Sequence, residues 1–203
     1  MARVLVAAAV AIGTIAAACG PVSVSQPPAM TLAQSIDAQV ARNEAVPWSA
    51  KRPLVWADFR ATPPATSSAA AETAYTLFHG ARCTRSRFEF LVVAAFRPKA
   101  SWVRPAVLKV PADSARALRH EQTHFDIAEL HARRMRRYFA EMLSPCQATT
   151  EQIASNAERF IRDERATQER YDAETNHSRE PVRQSSWDKD VAQQLQALSR
   201  YVR

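Results

Sequence analysis

The sequence lacks an apolar run long enough to act as a permanent membrane helix. Its longest, near the N-terminus, covers only about 14 residues against the roughly 20 that a bilayer demands. Cysteine is scarce, with three in 203 residues. Neither Cys83 nor Cys146 belongs to a CxxC pair, which argues against a thiolate zinc site. No basic cluster is interleaved with aromatics, so nucleic-acid binding is excluded as a function even though the chain carries a formal charge of +7. The basic residues are dispersed and read as a solvated surface compatible with an anionic lipid or cell-wall surface. There is no internal repeat, and the length is too small for two comfortable domains once the ends are discounted. One domain is expected.

What is present begins with an export signal. Residues 1–18, MARVLVAAAVAIGTIAAA, combine a charge at Arg3, an apolar run and small residues at the end. Ala16-Ala17-Ala18-Cys19 is similar to a bacterial lipobox, with alanine where leucine is usual three positions before the cysteine. Lipidation of Cys19 would hold the protein at a membrane surface through acyl chains; ordinary cleavage would release it into the periplasm. Residues 19–45 then serve as lipid-anchor cysteine, flexible tether and lead-in, Pro/Ser-rich as far as about Met30. In an oxidising compartment Cys83 and Cys146 are expected to pair, closing a loop of about 60 residues and stabilising by roughly 2 to 4 kcal/mol.

Residues 46–203 form the expected domain, of α+β class: a small, mostly antiparallel sheet followed by long helices. Strand signals, rich in β-branched and aromatic residues, fall at Leu54-Val55-Trp56, at Thr73 to Phe78 and at Phe88 to Phe96, with a loop over 62–68. Beyond Pro111, with Asp113 and Ser114 as candidate caps, neither proline nor glycine interrupts the chain until Pro145. One long helix from Pro111 to about Leu143 is predicted, then a second from about Thr149 to Thr175 and a shorter one from about Asp188 to Tyr201.

The first long helix contains His120-Glu121-Gln122-Thr123-His124. Histidines four apart lie about 40° apart around a helix and about 6 Å along it, so both imidazoles can reach one ion. Zinc suits imidazole, and in an HExxH helix the glutamate is placed to take a proton from water activated by the metal. With five histidines in the chain, chance would supply roughly 0.01 such matches. His131 lies on nearly the same face but some 16 Å along the axis, and Glu129 points to the opposite side. Metalloproteases with three local histidines turn the chain at a glycine and place the third where Leu130 stands. Phe125 to Glu129 holds no glycine, so the third ligand must come from another segment. The end of the second long helix is the best source, because short connections favour antiparallel neighbours. His177 leads, followed by Asp172 and Glu174, with His79 as an outsider. Asp126 is an alternative ligand or a carboxylate supporting a ligand histidine, or else a solvated helix acid. Tyr171 is the candidate donor to a tetrahedral oxyanion, against the plainer reading of a core tyrosine. Trp56, Trp102 and Trp187 read as core.

The run His120-Glu121-Gln122-Thr123-His124-Phe125-Asp126-Ile127-Ala128-Glu129 resembles the signature of a family of bacterial secreted proteins, domain of unknown function 922, predicted to be zinc-dependent proteases. Trp56-Ala57-Asp58-Phe59, Ser101-Trp102-Val103, Gln168 with Tyr171-Asp172, Thr175 with His177, and Gln184 with Trp187 match as well, so the resemblance spans about residues 50 to 190. In that family a glycine usually follows the histidine matched by His177; here Ser178 does. The expectation is an exported, periplasmic, lipid-anchored zinc metallopeptidase with a zincin-like fold. Zinc on His120, His124 and His177 would polarise the scissile carbonyl of a peptide or cell-wall peptide while Glu121 shuttles the proton. The substrate would lie along an edge strand such as Phe88 to Phe96. An amidase acting on cell-wall peptides shares the chemistry. The alternative from another class is a zinc-binding periplasmic lipoprotein that catalyses nothing and serves binding or envelope assembly; an intact Glu121 favours the enzyme.

Overall fold

The computed structural model describes residues 30–203 apart from Ser86; the expected signal at 1–18, the expected lipidation site Cys19 and the expected tether up to residue 29 lie outside the described residues. The lead-in that follows contains a helix, α1 (Leu32–Arg42). Thr31 and Gln34 form a reciprocal cap at its start, Thr31 Oγ1 accepting from Gln34 N and Gln34 Oε1 from Thr31 N.

Two antiparallel sheets follow. The larger has β4 (Arg87–Phe96) at its centre, between β3 (Tyr75–Thr84) and the short β1 (Val46–Pro47). The smaller pairs β2 (Ala71–Glu72) with β5 (Trp102–Val103). β3 and β4 form a hairpin in register from Tyr75↔Phe96 to Thr84↔Arg87, turning at Arg85 in the left-handed region, φ 49°. β4 is buried on both faces, which is why its sequence from Leu91 to Phe96 is apolar without alternation. Val92, Ala94 and Phe96 join one core cluster, Val93 and Ala95 another, as the period of two requires. α1 covers the second cluster with Ile36 and Val40. It comes close because Gly80 has no side chain: a Cβ there would stand 3.0 Å from Leu32 Cδ1.

After the short α2 (Pro105–Leu108) comes α3 (Pro111–Ala140), the expected long helix. It starts with Pro111 at its first position and not with a cap from Asp113 or Ser114; Ser114 Oγ instead accepts from Trp56 Nε1 at 2.8 Å. Phe125, Ala128, Ala132, Met135 and Phe139 pack against the sheet, while Ile127 and Leu130 meet the later helices. Those are α4 (Thr150–Thr175), capped by Thr149 and Gln152, and α5 (Pro181–Ala197). The last begins seven positions before the expected Asp188, with proline again at the first helical position.

Leu54-Val55-Trp56 is not a strand. Its backbone is met by side chains: Gln122 Oε1 accepts from Leu54 N at 2.7 Å and Asp58 Oδ2 from Val55 N at 3.0 Å, and a single 3-10 turn follows at Trp56–Asp58. The expected disulfide joins Cys83, at the far end of β3, to Cys146, between α3 and α4, with Cα atoms 5.7 Å apart.

Candidate metal centre

α3 presents His120 and His124 on successive turns, with ring centroids 4.7 Å apart and Nε2 atoms 3.1 Å apart. Asp172, from the last turns of α4, sets Oδ1 3.1 Å from His120 Nε2 and 3.2 Å from His124 Nε2. His177, just past the end of α4, brings Nδ1 to 3.3 Å from the same oxygen. His120, Asp172 and His177 each offer a ligand atom within 4.8 Å of the others. The three separations among His120 Nε2, His124 Nε2 and Asp172 Oδ1, 3.1 to 3.2 Å, are those of donors placed roughly 2.0 Å from one ion, the length of zinc–nitrogen and zinc–oxygen bonds, and His177 joins this set through Asp172 and His120. Imidazoles with one carboxylate are a donor set that zinc accepts.

His177 reaches the site through an unusual turn. Asn176, His177 and Ser178 all have left-handed backbone, with φ of 47°, 49° and 70°. For an L-residue this costs roughly 1–2 kcal/mol per position. Ser178 stands where glycine is usual in the resembling family, and its φ gives the physical reason for that preference.

The orientation of the two helix histidines is fixed from behind. Gln168 Nε2 donates to Glu164 Oε1 at 2.7 Å and to the His124 carbonyl at 3.0 Å, so its Oε1 must face His124 Nδ1, 2.7 Å away. Gln184 Nε2 donates to Asp188 Oδ1 at 2.6 Å, so its Oε1 faces His120 Nδ1 at 3.0 Å. Both Nδ1 atoms therefore carry a proton, so each ring, when neutral, turns a bare Nε2 lone pair toward Asp172, and only when charged does it donate from Nε2 to that carboxylate. Two lone pairs and a carboxylate oxygen then converge on one point, an arrangement that calls for a cation. Burial works to lower the His124 pKa, but hydrogen bonding to Asp172 and the charges of Glu121 and Asp172 outweigh it and the net shift is upward. Burial likewise works to raise Asp172, and the bonds from His120 and His124 overcome it, holding the carboxyl well below the usual range.

Glu121 is only 4% exposed, and its Oε2 is buried without a hydrogen-bond partner among the described residues. It lines a cavity of about 370 Å³ with His120, His124, Asp172 and His177; residues 69–73 and Tyr75 form the other wall.

Several expected roles change. Tyr171 is fully buried, stacks on His120 with centroids 4.7 Å apart, and turns its hydroxyl to Gln184 Oε1 and the His120 carbonyl. It does not line the cavity. It is therefore the core tyrosine of the plainer reading and no oxyanion donor. Asp126 also points elsewhere, accepting from Trp48 Nε1 at 2.7 Å and Gln122 Nε2 at 2.8 Å, which makes it a clamp between α3 and the N-terminal loop. Glu174 accepts from Trp187 Nε1, and His79 is exposed on β3 with Nδ1 3.1 Å from the Leu77 carbonyl; neither joins the site. Phe88 to Phe96 is the central strand and not an edge beside the site. Sequence reasoning gave no role to Gln168, Gln184, Glu164, Asp188 or Tyr75. The signal was present, since each glutamine has a carboxylate four positions away, on the same helical face.

Residues 49–178 match the model of a family described as bacterial protein of unknown function, DUF922. The chain belongs to this family. The match includes Glu121 and all four converging donors and stops short of Gln184. No curated protein and no solved structure matches the chain.

Proposed function

We propose that the protein is an exported zinc-dependent hydrolase with a zincin-like HExxH helix, acting on peptide bonds. The observation that carries this reading is the pair of bare Nε2 lone pairs on His120 and His124, held by Gln184 and Gln168 against the Asp172 oxygen beside an unpartnered Glu121. Zinc at such a site supplies Lewis acidity toward a carbonyl and lowers the pKa of water. Glu121 supplies the base: its buried Oε2 has no competing donor, so it takes a proton from the attacking water and returns it to the leaving amine. Tyr75, not Tyr171, is the phenol at the cavity wall. Its hydroxyl donates to Glu164, and burial, then the Glu164 charge, raise its pKa, so it stays neutral with its proton committed to Glu164. The backbone of 69–73 is the surface against which an extended peptide would lie. No helix among the described residues is long and apolar enough to cross a membrane, and the anchor is assigned to lipidated Cys19.

A second reading is favoured by Asp172. With three histidines it makes four protein donors, and structural zinc sites are closed in this way. A zinc-binding envelope protein without activity would look like this except for Glu121, which such a site does not need.

The test pairs metal content with hydrolysis. Elemental analysis of the purified protein should find about one zinc per chain, lost in His120→Ala and His124→Ala. Glu121→Gln should keep the metal while hydrolysis of peptide and cell-wall peptide substrates falls roughly 100-fold or more. Wild-type protein that stays free of zinc after zinc addition sinks the reading. Equal hydrolysis by Glu121→Gln removes Glu121 from the chemistry.

A further inference from the structure

A catalytic zinc centre keeps one position open for water or substrate, yet here a fourth protein donor stands where that opening is needed. Asp172 Oδ1 lies 3.1 to 3.3 Å from one nitrogen of each of the three histidines. Among the described residues, these histidines are the only partners of its side chain, all through Oδ1. The side chain is one-third exposed and faces the cavity. Nothing else pins it, so rotation about its own side-chain bonds moves the carboxylate into the cavity without moving α4. Glu121 supplies the independent observation. It lines the same cavity, and its buried Oε2 has no donor among the described residues, whereas a buried carboxylate oxygen needs a hydrogen-bonding neighbour. With Asp172 in place the centre is closed and Glu121 has nothing to act on; with Asp172 withdrawn, the freed position opens on the cavity that Glu121 also lines.

We propose that Asp172 is a displaceable fourth ligand that closes the metal centre in the resting protein and gives up its position beside Glu121 to an incoming oxygen donor such as a peptide carbonyl. The proposal rests on the metal-centre reading above. It separates the two roles left open by sequence: His177 is the permanent third ligand and Asp172 the gate.

The test uses cobalt(II) in place of zinc and acetohydroxamate, an oxygen chelator, as the probe of an open position, read by the visible cobalt bands. Asp172→Ala and Asp172→Asn should retain cobalt and bind acetohydroxamate at least 10-fold more tightly than wild type, because no carboxylate competes. Equal affinity in all three proteins would overturn the proposal, since Asp172 would then not occupy the position. Loss of cobalt from both variants would also overturn it by making Asp172 an indispensable ligand. Wild-type protein that takes up no cobalt fails the metal-centre reading itself and the gate with it.

Discussion

His131 shows how one helix position decides a residue's chemistry. It lies on nearly the same face of α3 as His120 but far along the axis, and the structure buries it to 2% exposure away from the site, with Nε2 near Thr167 Oγ1 and accepting from Arg134. Burial, assisted by the Arg134 charge, lowers its pKa to about 3. The unfolded chain takes up this proton near pH 6.5 and the folded chain only near 3, so the unfolded state binds more protons across that window and stability falls as pH drops through it. By pH 4 the loss from His131 alone should reach about 3 kcal/mol. Denaturant melts of chelator-treated protein at pH 7 and pH 4 should show a smaller acid loss in His131→Gln, which keeps an acceptor for Arg134. Parallel losses in both proteins would acquit His131. The histidine cluster was legible in sequence where helical geometry alone decides, as for the approach of His120 and His124 and the separation of His131 from them. It was less so where a second element decides. Tyr171 sits beside the site as expected, but Gln184 of α5 captures its hydroxyl, and no local pattern announces that.

At the scale of elements, α4 is a support as much as a source of ligands. Glu164, Gln168 and Asp172 are spaced by four, so they form one polar stripe along the face turned to α3. Glu164 orients the amide of Gln168, Gln168 orients His124, and Asp172 reaches the Nε2 atom of His124. In Gln168→Leu the volume is kept, but His124 Nδ1 loses its acceptor and the ring is free to turn or change tautomer. Zinc affinity measured by chelator competition should fall roughly 10- to 100-fold, with zinc-free protein retaining its helical circular dichroism. Unchanged affinity would show that Gln168 has no hold on the ligand. The long helices themselves were readable, because Pro111, Pro145 and the Thr149–Gln152 capping box punctuate the chain. α1 was not, since its apolar face is short and acquires meaning only against β3 and β4 at Gly80. Leu54 to Trp56 carried a strand's composition but no strand to pair with, and Gln122 and Asp58 claimed its backbone.

At the scale of the molecule, the disulfide and the His120–His124–Asp172 cluster stand at opposite ends. β3 runs from Tyr75 at the cavity to Cys83, eight residues or roughly 27 Å in a strand. α4 runs from Thr150, close after Cys146, to Asp172, roughly 33 Å of helix. The Cys83–Cys146 bond therefore ties the sheet to the α3–α4 connection at the end remote from the ligands, closing a loop across a sequence separation of 63. Its effect should fall on the stability of the whole unit, because the constraint acts mainly on the unfolded chain and contributes about 2–4 kcal/mol. The Cys83→Ser/Cys146→Ser double variant should thus unfold at lower denaturant by that amount, yet at moderate temperature bind zinc with wild-type affinity, since Gln168 and Gln184 orient the histidines independently of it. The measurement is chelator competition beside equilibrium unfolding on the same samples. A double variant with unchanged stability would mean that the bond constrains nothing. One that loses zinc affinity while still folded would mean that the packing of α4 against α3, and not the local hydrogen bonds, holds the ligands in register.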